Sequence, residues 1–239
     1  MKSTSKVYRS VSAVKSYLAA ATLVLFLAGN AAMAARDPNN GIAKPQASYQ
    51  GQSYGEWAVE WWTNMYSMPV VNGQHPLLSG GAIITERGAF LATAPGGVAT
   101  IDVTIPHSTP IFIPIVNAEC STIEPDPFHG DTEPELRACA NGHIDNTSSL
   151  SATIDSVQVS DVQSYRVQSP LFEFTLPEEN VLEFQGIEAP AGTTAQAVDA
   201  GVYLLIKPLS RNTTHTIRVR GTFNEFGTTI DTTFRITVQ

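Results

Sequence analysis

The chain has 239 residues, 43% hydrophobic and 15% charged, a composition for one ordinary domain or two small ones rather than a disordered chain. Its 17 glycines are scattered without a G-X-Y period, which excludes collagen, and two cysteines exclude a disulfide-dense miniprotein. The balance of 14 basic against 22 acidic residues gives −8, the wrong sign for a nucleic-acid partner.

The chain opens on the pattern of a secretory signal peptide. Lys2, Lys6, Arg9 and Lys15 form a positive region with no acid before Asp37. The apolar run YLAAATLVLFLAG over 17–29 follows, and Ala32-Met33-Ala34 is a small-x-small cleavage site. The run is shorter than the ~20 residues that span a bilayer, and no later stretch approaches that length. The pattern predicts a bacterial exported protein, secreted or periplasmic, with cleavage after residue 34 and no membrane contact thereafter. The remaining chain has ten basic against 22 acidic residues, net −12.

Residues 35–52 are polar and rich in Gly, Pro and Asn, the texture of a flexible leader. Ser53-Tyr-Gly-Glu56 is a capping box, so a helix is expected from Tyr54 to Met68, stopping before Pro69. Trp57, Trp61 and Met65 are four apart and share one face, expected to pack on a sheet. Trp62 lies off that stripe and is expected to stay exposed.

From residue 82 the texture becomes that of strands. Ala82–Ile84 and Ala89–Ala94 are short apolar runs, and 99–105 alternates apolar and polar residues with period two. Ile111–Val116 is apolar on both faces, and Pro114 within it predicts an edge position or a bulge. Residues 121–147 read as an irregular insertion. In it a second box, Thr132-x-x-Glu135, starts a short helix expected to stop at Asn141-Gly142. Further strands are expected at 150–154, 157–159, 165–167, 171–176, 202–206, 215–219 and 234–238, with a loop over 185–200. Many short strands and one early helix predict a mainly β fold. We expect an antiparallel β-sandwich of Greek-key or jelly-roll type, one domain over 53–239.

The segments GEWAVEWWTNMYSMP, PIFIPIVNAECST, ELRACA, YRVQSPLFEFTLPEENVL and HTIRVRGTF…TTFRITV resemble a group of secreted bacterial β-rich proteins with no assigned activity. The resemblance covers roughly residues 53–239. It implies export and a β-rich fold, and it carries no catalytic residue.

Chemistry is therefore read from the residues. Cys120 and Cys139 are the only cysteines of a chain expected to be exported, where thiols oxidise, so they are expected to form a disulfide. The acidic loop 124–135 offers Glu124, Asp126, Asp131 and Glu133 as oxygen ligands for calcium, the one cofactor considered, although the spacing is not that of an EF-hand. Trp62 and Tyr66 on the aromatic helix are candidates for stacking on a glycan or a protein partner. Asn117 and Glu119, which close the IFIPIV strand, and His107 are the catalytic candidates. There is no nucleophile elbow, zinc-protease motif, P-loop or dinucleotide fingerprint. The leading expectation is a non-catalytic sandwich that binds a surface, glycan or protein. The alternative is an extracellular hydrolase or lyase that uses carboxylates and a histidine.

Overall fold

The computed structural model describes residues 38–239. The expected signal peptide over 1–34 lies outside the described residues. The stretch expected to be a flexible leader is anchored from residue 41 onward. Ile42 and Ala43 are buried, and Ala43 N donates to Leu205 O at 2.8 Å.

Helix α1 (Tyr54–Ser67) forms as its capping box requires. Ser53 N donates to Glu56 Oε2 at 2.7 Å, and Glu56 N donates to Ser53 Oγ at 3.3 Å. The helix stops at Met68, whose backbone is extended ahead of Pro69. Helix α2 (Pro76–Ser79) and strands β1 (Gly81–Ile84), β2 (Ala89–Ala92), β3 (Gly97–Ile105) and β4 (Ile111–Ser121) follow. Next come α3 (Glu133–Asp145), β5 (Thr147–Ile154), β6 (Val157–Gln158), β7 (Arg166–Gln168) and β8 (Phe172–Thr175). The chain closes with α4 (Val181–Phe184), β9 (Thr194–Ile206), β10 (Thr214–Phe223) and β11 (Thr228–Val238).

The fold is mainly β, a sandwich of two sheets. One runs β1-β2-β4-β9-β7 with β8 also on β9, and the other runs β3-β11-β10-β5-β6. Most pairings are antiparallel, but β2–β4 and β3–β11 are parallel, so both sheets are mixed. Antiparallel wiring is enforced only where a tight turn joins neighbours. Strands β3 and β11 are joined by most of the chain and are free to run alongside.

Burial follows from the layering. Strands β10 and β11 alternate buried and exposed residues over most of their length, because one face meets the first sheet and the other meets water. Strands β4 and β9 are buried almost throughout. They lie in the middle of the first sheet, with α1 on one face and the second sheet and α3 on the other. Trp57, Trp61 and Met65 are fully packed, as their stripe predicts. Trp62, expected to stay exposed, is only 8% exposed. A second stripe of α1 packs because β8 extends beneath it. Tyr66 stacks on Phe174 of β8 with ring centroids 4.2 Å apart.

Pro114 sits at a bulge and not at an edge. In the β4–β9 ladder Pro114 pairs with Tyr203 and Val116 with Val202, so Ile115 is one extra residue. The bulge reverses the facing of everything after it. Phe112 and Pro114 share the α1 face with Asn117, Glu119 and Ser121, while Val116, Ala118 and Cys120 face the second sheet and α3.

Two elements outrun their local signals. Strand β9 begins at Thr194, inside the expected loop, because Ala195, Ala197 and Ala200 are small residues buried against covering layers. Helix α3 passes through Asn141-Gly142 to Asp145, since His143 and Ile144 bury and Arg166 reaches both Asn141 and Asp145. Tertiary packing here outweighs the weak helix propensity of Asn and Gly.

Cys120 and Cys139 form the expected disulfide, 19 residues apart. It ties α3 to the central strand. Closing a loop of that size stabilises by about 3 kcal/mol in the chain-entropy model. Reduction is expected to lower the melting temperature by about 6–12 °C, measured by calorimetry with and without reductant. An unchanged transition in protein shown by mass to be fully reduced would contradict this.

Candidate functional site

The α1 face of β4 and β9 carries polar residues that the surrounding packing does not require. Because of the bulge, Glu119 lies directly across the ladder from Asp199. Side chains directly opposite in an antiparallel pair have Cβ atoms about 4.5–5.5 Å apart, and like charges there are destabilising. Both residues are nearly inaccessible, Glu119 at 3% and Asp199 at 0%. Glu124, at the start of the acidic loop, is the third acid of the group. It accepts from Ser121 Oγ at 2.8 Å, and its charge acts on Glu119.

Each acid is held by neutral donors. Tyr66 Oη donates to Glu119 Oε2 at 2.8 Å. Trp62 Nε1 donates to Asp199 Oδ1 at 2.8 Å, and Tyr203 Oη donates to the same oxygen at 2.9 Å. Asp199 and Tyr203 are four apart on one strand, two side-chain repeats, and Gly201 lies between them. A Cβ at Gly201 would collide with the Tyr203 ring and sit 2.9 Å from Asn117 Cβ, so glycine lets the tyrosine lean along the strand. Glu119 Oε1, Asp199 Oδ2 and Asn117 Nδ2 are buried without a geometrically sound partner. None of the ion pairs among the described residues includes Glu119, Glu124 or Asp199.

Burial without a countercharge favours the neutral acids. The Glu119 carboxyl is pushed well above the usual carboxylate range, first by burial and then by the Glu124 charge. Glu124 is raised by burial. Burial lifts Asp199 to about 7, although the Trp62 and Tyr203 donors oppose the rise. A carboxyl facing a carboxyl with no other donor for Glu119 Oε1 is satisfied when the two share a proton.

This group opens onto a cleft of about 390 Å³ between α1, β4 and the β10–β11 hairpin. Trp61, Trp62 and Tyr66 form one wall, and Phe223, Phe226 and Phe128 form the other. Asn117, Glu119 and Glu124 lie on its lining. No lysine, arginine or histidine is among the lining residues described.

The structure thus brings together Asn117, Glu119, Trp62 and Tyr66 from the residues singled out in the sequence, and it separates the others. His107 is exposed in the turn after β3, where its N–H donates to Gln239 O, and does not line the cleft. The four loop carboxylates do not gather. Glu124 turns inward, Asp131 meets His129 and Glu133 pairs with Arg137. Among the described residues the only group of three clustered metal-type donors is Cys120, Cys139 and His143, and both its sulfurs are spent in the disulfide. Asp199, Tyr203 and the phenylalanine wall are not among the residues the sequence pointed to. The readable signal for Asp199 is a lone acid inside the apolar run AVDAGVYLLI.

Comparison of the chain with protein-family models, with curated proteins and with solved structures gives no match.

Proposed function

We propose that the protein is an exported, non-catalytic capture protein whose cleft binds one compact, ring-bearing organic ligand. The signal-peptide pattern and the disulfide support export, since disulfides persist in oxidising compartments. The observation that carries the binding reading is the cleft itself. It combines two aromatic walls with a few convergent buried polar groups, the composition of a small-molecule site. Its volume suits a single compact unit, such as one sugar or one side chain of a larger partner, better than a flat protein face.

A neutral solvatochromic probe, N-phenyl-naphthylamine, is expected to bind with enhanced blue-shifted emission. Ile187→Trp, which fills the cleft from a loop, is expected to abolish the signal while leaving the melting curve intact. Absence of binding, or binding indifferent to Ile187→Trp, would sink the reading.

A second reading, a hydrolase or lyase, is favoured by one observation, the neighbouring Glu119 and Glu124 carboxyls on the cleft wall. One protonated and one ionised carboxyl side by side supply an acid and a base. It predicts turnover of chromogenic glycosides or esters that both Glu119→Gln and Glu124→Gln remove. A substrate panel with no turnover by the parent leaves capture as the function.

A further inference from the structure

We infer that the ligand class is an organic monocation, a primary ammonium or amidinium on an apolar or aromatic body, whose N–H groups take the place of the proton between Glu119 and Glu124. The inference rests on the capture reading and names the chemistry that the cleft selects.

Three facts converge. Glu119 is 97% inaccessible, lines the cleft and leaves Oε1 without a donor. Its one donor is the proton shared with Glu124, and a ligand N–H can take that place. Secondly, the cleft wall carries two acids and no cation among the described residues, so an anionic ligand meets only repulsion. Thirdly, the walls beside the acids are aromatic, Trp61 and Trp62 on one side and Phe128 and Phe226 on the other, and suit the apolar or aromatic body that carries the cation. A hard dication is a poor fit, because calcium wants six or more oxygens and no three carboxylates among the described residues bring their oxygens close enough to share one ion. An ammonium needs only one or two. The net −12 of the chain beyond residue 34 would draw a cation inward from solution.

The exchange balances as acid plus ammonium giving an ammonium–carboxylate pair and one released proton. The titratable groups facing the site are Glu119, Glu124, Asp199, Tyr66 and Tyr203. The tyrosines are held neutral by burial. The carboxyls are the groups that release the proton.

The test is a fluorescence titration of the mature protein, because Trp61 and Trp62 line the cleft. The probes are benzylammonium, benzyl alcohol, phenylacetate and hexylammonium with hexanol, each also in the presence of calcium chloride. Each ammonium is expected to bind about tenfold or more tightly than its alcohol, the low end of what a hydrogen bond to a charged group contributes. Phenylacetate is expected not to bind, and calcium not to compete. Ammonium affinity should rise with pH as the raised Glu119 and Glu124 carboxyls lose their proton, while alcohol affinity stays flat. Glu119→Gln should remove the preference and keep alcohol binding. Should Glu119→Gln not fold, Glu124→Gln, at a half-buried position, should reduce the preference.

Equal affinity for amine and alcohol, or a preference that survives in a folded Glu119→Gln or Glu124→Gln, overturns the cation assignment and leaves capture standing if N-phenyl-naphthylamine binds. Competition by calcium overturns it in favour of a metal site. If neither these probes nor N-phenyl-naphthylamine binds, both readings fall together.

Discussion

Trp61→Ala is expected to lose about 3–5 kcal/mol of stability, the range for truncating a buried aromatic, in which lost transfer energy and the residual cavity add. The indole is 2% exposed and lies edge-on to Trp62, with ring centroids 4.8 Å apart. Its Nε1 donates to Leu91 O at 2.8 Å, so truncation also orphans a buried carbonyl on β2. A domain of this kind is stable by only about 5–15 kcal/mol, so a loss of that size consumes a large share. Urea melts of the parent and Trp61→Ala, read by circular dichroism, measure it. A midpoint that does not move would mean that α1 is not docked through this stripe.

Asp199→Asn is expected to do the opposite at neutral pH and make the protein more stable. The sign follows from proton linkage. Burial lifts the folded carboxyl to about 7, from an ordinary value of 3.8. Between those two values the native state binds more protons than the unfolded state, so stability falls as pH rises from about 4 to about 7 and then levels off. Three pH units at 1.36 kcal/mol each set an upper bound of about 4 kcal/mol on the loss. Asparagine keeps an oxygen for the Trp62 and Tyr203 donors and removes the buried charge. Parent and variant should therefore have similar stability near pH 4 and diverge above it, with the variant ahead by up to about 4 kcal/mol at pH 8. Denaturant titrations at five pH values provide the comparison. Parallel pH profiles for the two proteins would show that Asp199 is not the group responsible.

The sequence was most legible where a local device dictates a local outcome. The Ser53–Glu56 box places the start of α1, Pro69 places its end, and alternation marks the last strands. The disulfide is legible because the two cysteines of a chain that opens on an export-signal pattern have only each other. The site was only half legible. Asn117 and Glu119 stand out because polar residues closing an apolar strand are unusual. Asp199 and Tyr203 did not, because Pro114 marks a bulge, but which strand pairs there, and in what register, is set by the packing of β4 against β9 and by no local signal. The fate of Trp62 was misread for a related reason. A helix stripe indicates one buried face, and the second buried face of α1 exists only because β8, more than a hundred residues later, comes to lie under it. Glu124 looked like one ligand among several in an acidic loop, whereas the fold turns it alone toward the cleft.

The extra residue at Ile115 has a consequence for how this strand tolerates length variation. Deleting it would straighten the strand but keep Val116 opposite Val202, so Asn117, Glu119 and Ser121 would still face α1. Deleting a paired residue just after it, Asn117 or Ala118, would instead exchange the two faces of everything downstream. Glu119 would then leave its aromatic cleft in the same event that carried Cys120 away from Cys139. The covalent staple and the acidic site are therefore set by one frame, and Ile115 is the place in this stretch where a residue can be lost without breaking it.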